Sequence, residues 1–153
     1  MKTVTKTVDV HVPVNVAYNQ WTQFEEFPRF MEHIERVEQI DDTTIRWFAK
    51  VDGNDQKWTS KITEQTPDQR IAWQSIDGAT NAGVVTFHKL DDESTRVTLQ
   101  MEYDPDGMVE SIGTALGFVD RNVEDDLNSF REMIESRGQE TGAWRGKVKQ
   151  TVS

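Results

Sequence analysis

The last third of the chain carries an apolar stripe that only a long helix can turn to one side. Ile112, Leu116, Val119, Val123, Leu127, Phe130 and Ile134 step by 4, 3, 4, 4, 3 and 4 residues. That spacing marks one helix face, held over roughly seven turns. Gly138 follows Arg137 and suits the helix end. Asp120, Glu124, Asp125, Glu132 and Glu135 read as a solvated opposite face. Whatever precedes such a helix must offer an apolar surface to receive it.

The preceding pattern has period 2. Val4, Val8, Val10 and Val12 share a parity, with Lys6 the polar exception. After Pro13, residues Val14, Ala17, Tyr18 and Trp21 space as a short amphipathic helix, and an aromatic connector surrounds Pro28. Five alternating segments then follow, centred on Trp47, Ser60, Trp73, Val85 and Leu99. Turn chemistry separates several of them: Asp52-Gly53-Asn54-Asp55, Pro67-Asp68 and Asp77-Gly78. Polar on one face, they predict an antiparallel sheet with one side wet. The expected fold is α+β: a curved sheet that bends around the long helix and leaves a ligand-sized space beside it. Residues 1–138 are expected as one domain, and Gln139–Ser153, Gly-rich and without period, as a mobile tail.

Composition removes several function classes. There are 27 acids against 17 bases, a formal charge of −10. That works against binding nucleic acid or an anionic membrane surface. No cysteine is present, which excludes disulfides, thiolate metal sites and thiol nucleophiles. No window resembles a membrane span or a secretory leader, so the expected location is the cytoplasm. His11, His33 and His88 lack metal-ligand spacing, no Gly-x-Ser-x-Gly elbow occurs, and no dinucleotide or phosphate-loop string appears. No metal and no cofactor are expected.

The inward parity is the informative set. Trp47, Trp58, Trp73, Phe87 and Met101 fall on the apolar side of their strands, with Ser60, Ser75 and Tyr103 among them. Leu116 and Val119 face them from the helical stripe. This much flat surface is either core packed on the helix or the wall of a cavity, with the hydroxyls orienting a ligand's polar end. Gly113 and Gly117 interrupt the long helix, at a close approach or in a gate over residues 108–118.

Several strings carry a family resemblance: Val12-Pro13-Val14, Phe27-Pro28-Arg29-Phe30-Met31, Arg70-Ile71-Ala72-Trp73, Gly83-Val84-Val85-Thr86-Phe87, Tyr103-Asp104-Pro105-Asp106-Gly107 and Leu116-Gly117-Phe118. Over about residues 3–138 the chain resembles the START/Bet v 1-like (SRPBCC) superfamily, in its polyketide cyclase/dehydrase and lipid transport group. It looks closest to the coenzyme-Q-binding START-like branch. The resemblance implies a helix-grip fold with a sheet of about seven strands. It also implies an apolar cavity for a hydrophobic small molecule such as a lipid, a quinone or a polyketide-like compound. The first expectation is therefore a carrier or binder and no enzyme. The alternatives are a cofactor-independent aromatic polyketide cyclase or dehydrase, and a ribosome- or protein-interaction module. The resemblance carries no catalytic residue across, and neither Arg46 nor Arg96 falls on the inward parity.

Overall fold

Seven strands form one antiparallel sheet in the computed structural model: β1 (Lys2–Val10), β2 (Ile34–Gln39), β3 (Thr44–Val51), β4 (Asn54–Thr66), β5 (Arg70–Gly78), β6 (Asn81–Asp91) and β7 (Ser94–Tyr103). Their spatial order is β1-β7-β6-β5-β4-β3-β2. Helix α1 (Val14–Trp21) and a 3₁₀ turn (Phe24–Arg29) join β1 to β2, and helix α2 (Leu116–Arg137) follows the sheet. The structure describes residues 2–51, 53–78, 81–103 and 116–148; the side chains of residues 2, 51, 54, 78, 103 and 116–122 lie outside that description. This is the α+β arrangement that the periodicities predict, and the helix-grip fold of about seven strands that the resemblance implies.

Hairpins make every neighbour in the sheet sequential except the β1–β7 pair, which brings the two ends of the sheet sequence together. Register then lines up the inner face in rows. One row runs Val4–Met101–Gly83–Trp73–Ile62, the next Lys6–Leu99–Val85–Ile71–Gln65, and another Val37–Trp47–Trp58. Irregular register between Thr59 and Ser60, and again between Ile62 and Glu64, bends β4. The sheet thereby curls into a half-barrel.

α2 lies in this half-barrel and packs along β1. Val123, Leu127, Phe130 and Ile134 are buried, as the stripe requires. Ile112 and the proposed gate up to residue 115 lie outside the described residues, as do the side chains of Leu116 and Val119 and the surroundings of Gly117. Two acids assigned to the solvated helix face have partners on the β1 side. Glu124 pairs with Lys6 at 3.7 Å, and Glu135 accepts from the His11 backbone N–H at 2.8 Å.

An aromatic knot closes the end of the half-barrel below α2. Trp21 meets Phe27, Phe30, Phe87 and Phe130 at ring separations of 5.0 to 6.3 Å, and Tyr18 meets Phe87 edge-on at 5.4 Å. All but the tilted Trp21–Phe30 pair are edge-to-face, the favourable geometry at these separations.

Gly138 ends α2 at φ +72°, with its N–H on the Ile134 carbonyl at 2.8 Å. The segment after it, expected as a mobile tail, is seated against α1 as far as Val148, which exchanges two backbone hydrogen bonds with Gln65.

Candidate functional site

The inner face divides into a closed end and a more open one. Ile71, Val85, Phe87, Val97 and Leu99 are buried, Phe87 against Tyr18 and Trp21 of α1. Trp58, Trp73 and Met101 share the inner-face rows but are only half-buried. Trp73 is held by its neighbours' shapes. It sits on β5, the middle strand, directly across from Gly83. Its indole occupies the space that a side chain on Gly83 would need: a Cβ there would come within 2.5 Å of Trp73 Cζ2 and 2.8 Å of Met101 Sδ. The absent side chain is what lets the ring lie flat across β6.

Trp58 stacks on Trp47 with centroids 6.1 Å apart and planes 10° from parallel. Trp47 is itself buried against Phe24 and Phe27. So Trp47 and Phe87 belong to the packed core, while Trp58, Trp73 and Met101 are partly buried at its margin. The hydroxyls differ as well. Ser75 Oγ accepts from the Asn81 backbone N–H at 3.0 Å. Ser60, across from Ser75 and fully buried, has no hydrogen-bond partner for its Oγ among the described residues. A buried hydroxyl of that kind is a waiting donor or acceptor. Arg46 and Arg96 are exposed, and Arg96 pairs with Asp9 at 2.8 Å. Depressions of about 660 and 650 Å³ lie around Arg36, Phe48 and Lys57, the second of them also bordered by Trp58.

Sequence reasoning missed one group. Asp126 follows Val123 by three positions and precedes Phe130 by four, so it shares the buried face of α2. It is half-buried near Glu32 in the connection ahead of β2, one helical turn from the Phe30–Phe130 contact. Burial, and then the charges of Asp125 and Glu32, push its carboxyl up to about 7. The signal was available: an acid inside an apolar helical stripe costs stability and should have a reason. Among the described residues, no group of three or more His, Asp or Glu side chains is placed to hold a metal. No helix among them is long and apolar enough to cross a membrane.

Comparison with known proteins agrees with the fold. The profile of the family described as polyketide cyclase/dehydrase and lipid transport matches residues 10–131. An uncharacterised 17.2 kDa protein of Streptomyces lincolnensis is 52% identical over 149 residues, 97% of this chain and 99% of that protein. The crystal structure of a Deinococcus radiodurans protein is similar with a TM-score of 0.71 and 25% identity, covering 90% of this chain and 99% of that one. The Zhui aromatase/cyclase of a Streptomyces species is similar with a TM-score of 0.76 and 21% identity, covering 94% and 99%.

Proposed function

The chain belongs to the polyketide cyclase/dehydrase and lipid transport family, and from that premise we propose that it binds a hydrophobic small molecule on the concave face of its sheet. The half-buried Trp58, Trp73 and Met101, on the same face as the buried Ile62, Ile71, Val85 and Leu99, support this reading most directly. Indole and thioether surfaces accept flat or flexible apolar ligands alike. The unpartnered Ser60 hydroxyl and the adjacent Ser75 supply a polar end that would orient a carbonyl or hydroxyl of the ligand. A lipid, a quinone and a polyketide-like compound all have that character. Tyr103, Leu116 and Val119 complete the proposed lining from the sequence pattern.

The test is titration of the intact protein with a fluorescent naphthalene probe, alongside native mass spectrometry of protein purified from its own source. Saturable probe binding that weakens in Trp73→Ala, with the fold retained, is the expected result. No binding to the wild type, or equal binding to the variant, would sink the reading.

Asp126 favours a second reading, a cofactor-independent cyclase or dehydrase. A carboxyl that titrates near neutrality can pass a proton in either direction. Enolising a β-ketone, or losing water from a β-hydroxyketone, needs that capacity. On this reading Asp126→Asn abolishes turnover of a poly-β-ketone mimic while probe binding survives. Turnover undiminished in the variant would remove Asp126 from the chemistry.

A further inference from the structure

Helix α1 is buried on both sides, although only one side is apolar. Val16, Ala17, Tyr18 and Trp21 face the core, while Asn19, Gln20 and Thr22 are equally buried. What covers the polar side is the segment 139–148. Asn19 Nδ2 donates to Glu140 at 3.0 Å. Gln20 exchanges two hydrogen bonds with Thr141, accepting from its N–H at 2.8 Å and donating to its hydroxyl at 3.2 Å. The Trp144 N–H donates to Thr22 at 3.1 Å. Arg145 reaches Asn19 Oδ1, pairs with Asp68 Oδ2 at 2.8 Å and lies over the Tyr18 ring at 5.5 Å. The path is shaped by glycines: a Cβ on Gly142 would strike Gln23, and one on Gly146 would strike the Trp144 ring.

Beneath this segment lie four buried polar atoms with no hydrogen-bond partner among the described residues: the Tyr18 hydroxyl, Nε2 and Oε1 of Gln65, and Oδ1 of Asp68. Tyr18 is 0% exposed and Gln65 1%. They lie together: Arg145, paired with Asp68, also lies over the Tyr18 ring, and the Gln65 amide is the hydrogen-bonding neighbour of the Tyr18 hydroxyl without meeting it in good geometry. Asp68 holds φ +61°, a left-handed conformation that an Asp tolerates at a turn; its Oδ2 pairs with Arg145 and its Oδ1 is buried, though the side chain as a whole is 32% exposed. Polar atoms this deep are normally satisfied.

The inventory defines what would satisfy them. Gln65 Nε2 only donates, Gln65 Oε1 and Asp68 Oδ1 only accept, and the tyrosine hydroxyl does both. The Asp68 charge is already met by Arg145. The complement is neutral, small, and both donor and acceptor. We propose that residues 139–148 form a strap closing over an internal hydration site, in which one or two water molecules bridge Tyr18, Gln65 and Asp68. Strap and water then bind as a unit, because Asp68 anchors the one through Oδ2 and the other through Oδ1.

The sign of a substitution separates bonded atoms from unpaired ones. Gln65→Met keeps the shape and deletes both amide atoms. If those atoms are bonded, to water or to the Tyr18 hydroxyl beside them, the melting temperature falls by about 2–4 °C or more, and the water itself is told apart by the cross-relaxation below. If they are simply unpaired, removing them can only help, and the melting temperature holds or rises. Tyr18→Phe keeps the ring contact with Phe87 and gives a second reading of the same sign. The strap is read separately by hydrogen exchange at the Val148 and Gln65 backbone amides. In Tyr18→Phe both should exchange about tenfold faster. Long-lived water cross-relaxation to the Gln65 side-chain amide protons in the intact protein is the direct observation. Its absence, unchanged exchange, or a stabilising Gln65→Met each overturns the proposal.

Discussion

At the scale of single residues, Gly83 and Trp73 act as one unit. The glycine leaves room and the indole takes it. Gly83→Val is expected to push the ring off β6, costing about 1–3 kcal/mol as overpacking does, with a shift in tryptophan emission. A thermal melt with an emission spectrum checks both. An unchanged spectrum would mean that the ring rests elsewhere. Trp73→Ala should cost less than the roughly 3–5 kcal/mol of a fully enclosed tryptophan, because part of its surface already lacks protein neighbours. Parity in the sequence was enough to place Trp73 on the inner face, but it could not separate Trp73 from Phe87. That difference depends on which residues α1 and α2 cover, and no strand's own pattern encodes it.

At the scale of elements, the alternating segments and the stripe of α2 were legible because each repeats one period without interruption. β2 was not. Only Ile34 and Val37 are apolar there, and a register shift between Ile34 and Arg36 breaks the parity that would have announced a strand. The strap escaped for a different reason: its contacts are polar and long-range, so no periodicity marks it. Lys6 shows how an inward polar residue is accommodated at an edge. It stands opposite Leu99, and its ammonium reaches Glu124 across the β1–α2 seam at 3.7 Å, partly in solvent. Such a pair is worth about 0–1 kcal/mol, and a long side chain covers the apolar surface below it in any case. Lys6→Met is therefore expected to leave stability within about 0.5 kcal/mol of the wild type. Chemical denaturation measures this, and a loss of several times that size would show the pair to be a structural clamp.

At the scale of the whole molecule, Asp126 couples folding to pH. In the unfolded chain its carboxyl titrates near the usual 3.8, and in the folded protein near 7, raised by burial and by Asp125 and Glu32. Between those values the folded state holds a proton that the unfolded state has released. Stability contributed by this group is therefore greatest at acid pH and declines as pH rises from about 4 to 7, after which the penalty is constant. Each tenfold change in proton affinity is worth about 1.4 kcal/mol. Solvent that still reaches the half-buried carboxyl screens part of this, so the full penalty is on the order of 3 kcal/mol. Asp126→Asn keeps the shape and cannot ionise, so it should melt higher than the wild type at pH 8 and nearly level with it at pH 4. The difference between the two melting curves, followed across that range, traces the titration of this one carboxyl. A difference that is flat with pH would place Asp126 in solvent, and would take from the enzyme reading the group on which it depends.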